Sequence, residues 1–465
     1  MGMPDHNEAT IAAIATSPGS GGIGIIRLSG RLAPVVLQQI FQPKNPPRHF
    51  QSHKLYYGVI VNPQTRAVID EVLAVYMRAP HTYTREDVVE IHCHGNCLLL
   101  AEILRQALAV PGTRLAEPGE FSKRAFLNGR IDLSQAEAVI DLLAAKTLTG
   151  AGLALSQLRG ALQAETVQIR DHLLAVRAIM EVAIDFPDEE VDILNPAGLD
   201  RQLASEVQIP LERMLARAAE GRIFREGVSV VILGRPNVGK SSILNRLLRE
   251  ERAIVTEIPG TTRDTIEEYL DIRGVALRLV DTAGIRDSAE AVEEIGIRRA
   301  REKLAEAELV LLVVDGSQGV QEDDCRLFAA AAGKKIVVVV NKADTMREGS
   351  LADWAAAFAG AALVATSART GQGIADLEAA VYAQVTGGEG LHEPGRAVPN
   401  VRHAAALGRA VEAVRRVRDG LAHDLPPDLL AIDLQMALDH LGDIVGETTT
   451  EDVLDMIFSR FCIGK

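Results

Sequence analysis

The chain has 465 residues, which is too long for a single hydrophobic core and predicts two to four domains. Its 49 basic and 63 acidic residues give a net charge of -14, which argues against a protein that coats nucleic acid by neutralising phosphates, although a local basic patch stays compatible with it. The four cysteines form no disulfide framework, no apolar run reaches the roughly 18 residues of a membrane span, and the N-terminus has no signal-peptide pattern. We therefore expect a soluble cytoplasmic protein.

Residues 1–125 have the pattern of an α/β domain. Runs rich in β-branched and aromatic residues are separated by glycine and proline, which is typical of short strands. The predicted strands are Ile23–Leu28, Tyr57–Val61, Val72–Met77 and Val88–His94. The run Cys97–Leu108 has helical character.

The pattern changes twice in the rest of the chain. Residues 126–222 carry Ala, Leu, Glu and Arg at helical spacing, interrupted near Pro187, and helical patterning returns in residues 385–465. There the run Glu451–Phe461 is amphipathic, with Thr450 as its predicted cap. Residues 223–384 instead alternate strand and helix patterns, which predicts a doubly wound sheet inserted into one helical domain. The predicted strands of this sheet are Val228–Leu233, Leu277–Val280, Leu309–Val314, Ile336–Val340 and Ala362–Thr366.

The segment Gly234–Ser241, GRPNVGKS, matches the phosphate-binding pattern G-x-x-x-x-G-K-[ST]. It follows a predicted strand and precedes the helical run Ser242–Leu248, as such a loop requires. Its glycines would let backbone N–H groups surround phosphates at the positive end of the helix. Lys240 would contact the β- and γ-phosphates, and the Ser241 hydroxyl would ligate Mg²⁺.

Three further motifs follow, each at the end of a predicted strand. Asp281–Gly284, DTAG, supplies a carboxylate for the Mg²⁺ shell and a glycine N–H for the γ-phosphate. Asn341–Asp344, NKAD, presents Asp344 to the N1 and N2 donors of guanine, which adenine lacks. Ser367–Arg369 offers backbone donors toward guanine O6. Because the carboxyl ends of such strands meet at one ligand-binding edge, this order predicts GTP or GDP as the ligand.

The hydrolysis machinery departs from a common pattern. Thr262, in the segment TEIPGTTRD, is predicted to complete the Mg²⁺ coordination only when a γ-phosphate is present. Many GTPases orient the attacking water with a glutamine directly after the DxxG motif, but Ile285 occupies that place here. Catalysis then requires a monovalent cation, a second molecule, or polar residues further along, such as Arg286, Asp287 or Glu293. Asn237 is a candidate ligand for the cation.

Several further motifs lie in all parts of the chain. The G-domain segments GRPNVGKSSILN and TEIPGTTRD are shared with other GTPases. More specific are the N- and C-terminal motifs SPGSGGIGIIRLSG, HTYTREDVVEIHCHGN, EPGEFSKRAFLNGRIDLSQAEAV and FCIGK, together with AIDFPDEE. With these motifs the chain resembles the tRNA modification GTPase MnmE (TrmE) family, and the resemblance extends from Ile11 to Lys465.

The resemblance implies a multidomain α/β and α fold. An N-terminal α/β domain (1–125) would dimerise and bind a tetrahydrofolate. A discontinuous helical domain (126–222 and 385–465) would end in the FCIGK motif, and a Ras-like P-loop GTPase domain with a doubly wound mixed sheet (223–384) would be inserted in it. The implied activity is a K⁺-dependent GTPase that, with the flavoprotein MnmG, adds a (carboxymethyl)aminomethyl group to C5 of the wobble uridine of certain tRNAs. The implied assembly is a homodimer within a heterotetramer, and the implied cofactors are GTP, Mg²⁺, K⁺ and 5-formyl- or 5,10-methylene-tetrahydrofolate.

The family's site residues carry over by position. The implied K⁺ ligands are Asn237, Thr256, Ile258 and Thr261. The implied catalytic groups are Lys240, Glu293, which would orient water through an intermediary, and Cys462, a candidate thiol near the folate. The implied GTP-binding residues are Asn237, Val238, Gly239, Lys240, Ser241, Ser242, Thr256, Glu257, Ile258, Pro259, Gly260, Thr261, Thr262, Asp281, Thr282, Ala283, Gly284, Asn341, Lys342, Ala343, Asp344, Ser367, Ala368 and Arg369. The implied folate-binding residues are Arg27, Glu90, Arg130 and Lys465.

The alternation of side chains along a strand supports a folate-binding role for Glu90. Glu90, His92 and His94 would share one face of their strand, because side chains alternate. Glu90 could then accept hydrogen bonds from a pterin amine and ring N–H, while basic residues hold the glutamate tail. The alternative is that Glu90 is a solvated strand residue. Arg130 stands where the family commonly has lysine, and a planar guanidinium is not interchangeable with a point charge.

Two other functions compete with tRNA modification. One is a ribosome-assembly GTPase that hydrolyses GTP without modifying RNA. The other is a folate-dependent one-carbon transferase regulated by a G domain, for which Cys462 is the available nucleophile. The ribosome-assembly GTPase gives no reason for the N- and C-terminal motifs, and the one-carbon transferase would need its own nucleophile and base near the folate.

Overall fold

The computed structural model describes residues 9–186, 195–250, 268–280, 304–346, 350–388 and 397–465. Contacts divide the chain into two compact units. Of the described residues, unit 1 contains 9–140 and 442–465, and unit 2 contains those between 141 and 441. Within the described ranges, no helix is both long and apolar enough to cross a membrane.

The strands and helices have the following bounds. The strands are β1 (Thr10–Ile14), β2 (Gly21–Ser29), β3 (Phe41–Pro43), β4 (Lys54–Val61), β5 (Val68–Met77), β6 (Val88–Gly95), β7 (Thr113–Leu115), β8 (Val228–Leu233), β9 (Glu268–Ile272), β10 (Val275–Leu279), β11 (Leu309–Asp315), β12 (Lys335–Asn341) and β13 (Ala362–Ala365). The helices are α1 (Ala33–Ile40), α2 (Cys97–Leu108), α3 (Glu120–Leu127), α4 (Leu133–Ala144), α5 (Leu148–Leu158), α6 (Ala161–Asp185), α7 (Pro196–Gln202), α8 (Ile209–Glu226), α9 (Lys240–Glu250), α10 (Glu322–Ala330), α11 (Ser350–Ala357), α12 (Ile374–Thr386), α13 (Val401–Ala422), α14 (Pro427–Val445) and α15 (Glu451–Phe458).

A seven-stranded sheet lies at the centre of unit 1, in the order β3-β4-β5-β6-β2-β1-β7. Neighbouring strands pair antiparallel except β1 and β7, which are parallel. Helices α1 and α2 cover one face, where Ile26 and Ile91 are fully buried. The Asn96 side chain caps α2 by accepting hydrogen bonds from the first turn of the helix. The opposite face carries the exposed apolar side chains of Leu55, Tyr57 and Leu73.

Helix α15 packs against α3 within unit 1. Gly119 precedes α3 with φ +69°, and a Cβ at this position would overlap the carbonyl oxygen of Phe458. The rings of Phe126 and Phe458 lie 6.4 Å apart, and Lys123 Nζ lies 2.6 Å from Asp455 Oδ1. The C-terminal segment is therefore held in place by side chains about 330 positions earlier in the chain.

The helical part of unit 2 combines helices that precede strands β8–β13 in the sequence with helices that follow them. Helix α7 continues through a π-helical segment, Leu203–Gln208, into α8, and α13 packs against α8. Two ion pairs reinforce this packing: Arg418 Nε lies 2.6 Å from Asp200 Oδ1, and Arg415 Nη2 lies 2.7 Å from Glu212 Oε1.

The sheet of unit 2 has six strands in the order β13-β12-β11-β8-β10-β9. All neighbours are parallel except β9 and β10. Every residue of β8 is buried, as expected for a parallel strand with both faces covered. Side chains on the two faces form separate apolar clusters, one containing Ile243 of α9 and the other Trp354 of α11. The carboxyl ends of β8, β11 and β12 therefore open at one edge.

The predicted fold class is confirmed: the chain has an N-terminal α/β part, a helical part and a P-loop GTPase-like part. Strands β1, β3, β7 and β9 were not predicted, because they are short or lack clear punctuation. The predicted run Glu451–Phe461 is too long, since α15 ends at Phe458. Thr450 occupies the N-cap position as predicted, but its side chain makes no capping hydrogen bond.

Candidate functional site

The phosphate loop connects β8 to α9 and depends on unusual backbone angles. Gly234 has φ +149° and Gly239 has φ +100°, both outside the range that other residues adopt readily. A Cβ on Gly234 would overlap the carbonyl oxygen of Val313. Asn237 also has positive φ, +65°, and is exposed at the turn of the loop. A non-glycine residue in this conformation is strained, which is common where a loop binds a ligand.

Lys240, the first residue of α9, folds back over this loop. Its Nζ donates hydrogen bonds of 2.9 Å to the carbonyl oxygens of Gly234 and Arg235. Burial lowers the pKa of Lys240. Phosphates at the loop would favour the charged ammonium again, since a nearby opposite charge stabilises it. Ser241 and Ser242 follow on the first turn of α9.

Asn341 joins the phosphate loop to the segment that follows β13. This side chain is 2% exposed, and its Nδ2 donates to the carbonyl oxygen of Val238 at 2.8 Å. Its Oδ1 accepts from the backbone N–H of Ala368 at 3.1 Å. Because one buried amide contacts both segments, the predicted phosphate-binding and guanine-binding residues are brought to the same edge of the sheet.

Asp344 and the predicted segment Ser367–Arg369 lie together at this edge. Ser367 Oγ donates to Asp344 Oδ1 at 2.7 Å, and Arg369 Nη2 lies 2.7 Å from Asp344 Oδ2. The hydrogen bond from Ser367, with the neighbouring Arg369 guanidinium, holds the pKa of Asp344 below its ordinary value. The group is therefore a carboxylate at neutral pH and suits a pair of N–H donors on a purine.

Asp315, which the sequence analysis missed, positions Lys342. It is the last residue of β11, is 1% exposed and lies 2.6 Å from Lys342 Nζ through Oδ2. Burial alone would raise the pKa of Asp315, but hydrogen bonds from Lys342 and Ser317 lower it below its ordinary value. Lys342 itself has φ +64°. A signal was present, since an aspartate ends the apolar run LVLLVVD beside the strand that precedes Asn341.

The sequence analysis also missed a contact that holds the beginning of the phosphate loop. Arg235 Nε donates to Asp324 Oδ1 at 3.0 Å, and burial raises the pKa of this fully buried carboxyl. No sequence pattern indicates this pair, because the residues are 89 positions apart.

Several predicted residues lie outside the described residues. They are Thr256, Glu257, Ile258, Pro259, Gly260, Thr261, Thr262, Asp281, Thr282, Ala283, Gly284, Ile285, Arg286, Asp287 and Glu293. Their roles as switch, Mg²⁺, K⁺ and water-orienting residues stay predictions.

Unit 1 brings Arg27, Glu90 and the C-terminal tail together. Arg27 on β2 is paired directly with Glu90 on β6, and its Nε lies 2.8 Å from Glu90 Oε1. Arg27 Nη1 donates to the carbonyl oxygen of Gly464 at 3.1 Å, which places Lys465 beside the pair. Gly464 has φ +95°, and a Cβ there would lie 2.5 Å from the carbonyl oxygen of Ile14. The predicted base acceptor Glu90 is thus already an ion-pair partner.

Other residues surround this pair. His92, on the same face as Glu90, has its Nε2 3.5 Å from Glu90 Oε2 without forming a hydrogen bond. Arg27 lies over the Phe121 ring, with Cζ 5.8 Å from its centroid. Arg130 lies over the Tyr83 ring at 5.3 Å. Cys462 is exposed, and its carbonyl oxygen accepts from the N–H groups of Gly119 and Lys465.

The fold and the nucleotide site define this chain as a P-loop GTPase. The family model for the GTP-binding protein TrmE N-terminus matches residues 10–130, and the model for the MnmE helical domain matches residues 133–462. The chain belongs to the tRNA modification GTPase MnmE family.

Several relatives match over their full length. The tRNA modification GTPase MnmE of Desulfotalea psychrophila is 50% identical over 469 residues, which cover 100% of each chain. Those of Heliobacterium modesticaldum and Natranaerobius thermophilus are 47% and 43% identical. Both alignments cover 98% of this chain, with 99% and 100% of the relatives respectively.

Proposed function

We propose that this chain is a K⁺-dependent GTPase that, with the flavoprotein MnmG, adds a (carboxymethyl)aminomethyl group to C5 of the wobble uridine of certain tRNAs. The one-carbon unit would come from a tetrahydrofolate bound in unit 1. One observation carries this proposal. This member of the family has a nucleotide site at the edge of one sheet and, in unit 1, a second site at which Arg27, Glu90 and the C-terminal tail meet.

In the nucleotide site, each group would act on a different part of GTP. Lys240 and the loop N–H groups would bind the phosphates, and Asp344 would accept from the guanine N1 and N2 donors. Ser241 and Thr262 would hold Mg²⁺, which supplies positive charge to the β- and γ-phosphate oxygens. Glu293 would orient the attacking water, since Ile285 has no polar group for this purpose.

The K⁺ proposal fits the geometry of Asn237. This residue is exposed at the turn of the phosphate loop in a left-handed conformation, which asparagine adopts more readily than other non-glycine residues. Its exposed side-chain oxygen would be a ligand of the cation. Thr256, Ile258 and Thr261 would complete the K⁺ coordination. The bound cation would supply the charge that an arginine finger supplies in other GTPases.

The folate proposal fits the polar groups of unit 1. Glu90 Oε2 lies near His92 Nε2, which forms no hydrogen bond. These two atoms could therefore form hydrogen bonds with a ligand ring that carries donors and acceptors. Arg27, Arg130 and Lys465 would bind carboxylates, and the exposed Cys462 is the proposed thiol. The exposed apolar face with Leu55, Tyr57 and Leu73 supports a homodimer formed through this unit.

The K⁺ requirement gives the sharpest test of this function. Full-length protein should hydrolyse GTP at least about tenfold faster in KCl than in NaCl of equal ionic strength. Asn237→Ala should lose this difference, and Asn237→Gly should lose it as well, because glycine removes the oxygen without backbone strain. Asn245→Ala, at an exposed position of α9, should keep it. Equal rates of the wild type in both salts would contradict the proposal.

The modification itself is tested in cells. Deleting the gene should remove the C5 group from the wobble uridine of the affected tRNAs, and the wild-type gene should restore it. Unchanged tRNA in the deletion strain would favour a GTPase without modification activity.

A further inference from the structure

A cleft of about 670 Å³ opens on unit 1 and has a basic lining. The residues that line it are His53, Met77, Pro80, His81, Thr82, Tyr83, Arg85 and Arg130. We call it the basic cleft. Four of these side chains are cationic or can become so, and none of the eight is acidic. This contrasts with the net charge of -14 for the whole chain.

The acidic residues nearest in sequence are engaged elsewhere. Glu86 accepts hydrogen bonds from Arg124 and Ser29, and Asp87 accepts from the Tyr76 hydroxyl and the Ala79 N–H. Arg85 and Arg130 form no ion pair with a carboxylate among the residues that the structure describes. Their charge is therefore available to an anionic ligand.

The cleft's cations are held in defined positions. Arg85 and His53 have φ of +58° and +62°, a conformation that costs non-glycine residues roughly 1–2 kcal/mol. Arg85 Nη1 donates to the carbonyl oxygen of Asn128 at 2.9 Å, and Arg130 lies over the Tyr83 ring. The Tyr83 hydroxyl is itself hydrogen-bonded to Ser122 Oγ at 2.8 Å. Two exposed arginines on separate segments are thus oriented by local contacts.

The basic cleft and the Arg27–Glu90 pair both contact one apolar cluster of unit 1. Tyr83 packs against the apolar cluster that contains Phe121, and Arg27 lies over the Phe121 ring. Arg130, one of the residues proposed to bind the folate, also lines the basic cleft, so a folate whose ring system lies at Glu90 would direct its glutamate end toward this cleft. Arg130 would belong to both sites.

We propose that the basic cleft binds the γ-linked oligoglutamate chain of a polyglutamylated folate. The inference rests on the proposed folate function and adds the form of the ligand. A single terminal glutamate has two carboxylates, and each further γ-linked residue adds one free α-carboxylate. The cleft's two arginines and two histidines offer more donors than one glutamate uses. A row of carboxylates matches a row of such donors, whose hydrogen bonds to anions are stronger than those between neutral groups.

The test compares two ligands on the full-length chain by calorimetry: 5-formyl-tetrahydrofolate with one glutamate and with three. The wild type should bind the triglutamate at least about fivefold more tightly, as expected for partly exposed charge pairs. Arg85→Gln, and more so the double variant Arg85→Gln/His81→Gln, should lose this advantage while keeping the affinity for the monoglutamate. Arg31→Gln removes an exposed arginine outside the cleft and should change neither. Thermal denaturation would check that each variant is folded.

The outcomes separate the two proposals. Equal affinities of the wild type for the two ligands would overturn the oligoglutamate inference and leave the folate proposal standing. Failure of both ligands to bind would overturn the folate proposal and this inference with it. Binding of a short single-stranded RNA that is weakened by Arg85→Gln, without any triglutamate advantage, would identify the cleft as a nucleic-acid site and would also overturn the inference.

Discussion

Gly239→Ala should damage the nucleotide site. Gly239 has φ +100°, and a Cβ at this position would overlap Asn341 Nδ2. That nitrogen donates the 2.8 Å hydrogen bond to Val238 that ties the loop to the end of β12. The substitution therefore strains the backbone and breaks this link at the same time.

The magnitude follows from the two effects. A residue with a Cβ in a left-handed conformation costs roughly 1–2 kcal/mol relative to glycine. Leaving a buried donor or acceptor without its partner costs about 1–3 kcal/mol more. The smallest sum, about 2 kcal/mol, corresponds to a decrease of roughly thirtyfold in affinity for GDP if it falls on the bound state.

Equilibrium titration with a fluorescent GDP analogue measures this loss, and thermal unfolding reports any part of the cost that falls on stability. Gly408→Ala is the matched control, because Gly408 lies within α13 and a Cβ added there would meet open space. It should leave GDP affinity unchanged and raise stability by about 0.5–1 kcal/mol. Wild-type affinity and stability of Gly239→Ala would refute the role assigned to the loop geometry.

Three other predictions concern the ion pairs and the tail. Glu120 is largely buried between Arg114 and Arg124, so Glu120→Gln should destabilise the protein by about 3 kcal/mol at pH 7 in chemical denaturation. Burial alone would raise the pKa of Glu120, but hydrogen bonds and charge from the two arginines lower this pKa below its ordinary value of 4.5. The ionised Glu120 carboxylate therefore stabilises the folded protein above pH 4.5, and this stabilisation is lost as the pH falls through the pKa of the folded state. The difference between variant and wild type should then shrink below pH 4.5, and a difference that stays constant down to pH 2 would count against the ion pairs as its source. Asp315→Asn should weaken GDP binding about tenfold, because it releases Lys342 from its ion pair. The control Asp323→Asn, on the exposed side of α10, should leave GDP binding unchanged. Similar GDP affinities of the two variants would contradict the role of Asp315 in positioning Lys342. Gly464→Ala should free the C-terminal tail from Ile14 and weaken folate binding with GDP binding unchanged; retained folate affinity would argue against a role of the tail.

The nucleotide motifs were predictable because each is contiguous and follows a strand that is recognisable from its own apolar residues. GRPNVGKS and NKAD owe their positions to the parallel register of β8, β11 and β12, which brings strand ends to one edge. Asp315 was predictable in the same way and was overlooked. The Arg235–Asp324 pair was not, because no local pattern relates a loop arginine to the first turn of α10.

In unit 1, the contacts of the candidate site join residues that are distant in sequence, and these contacts could not be predicted from local patterns. Arg27 and Gly464 are 437 positions apart, and only the resemblance to a family, which implied a shared folate site for Arg27 and Lys465, related these two parts of the chain. The basic cleft combines residues near positions 53, 77–85 and 130, whose charges look like ordinary surface residues when each segment is read alone. Thr450 illustrates the opposite error, since a residue type typical of helix caps occupies the right position without making the bond.

We propose that Asp344 selects guanine at the edge of the sheet. Asp344→Asn replaces an acceptor of two N–H groups with an amide that can donate to the C2 carbonyl of xanthine. We expect this variant to bind GDP about a hundredfold more weakly than the wild type and to prefer XDP, whereas Asp376→Asn, at an exposed position of α12, should keep the preference for GDP. Unchanged preference of Asp344→Asn for GDP over XDP would contradict it.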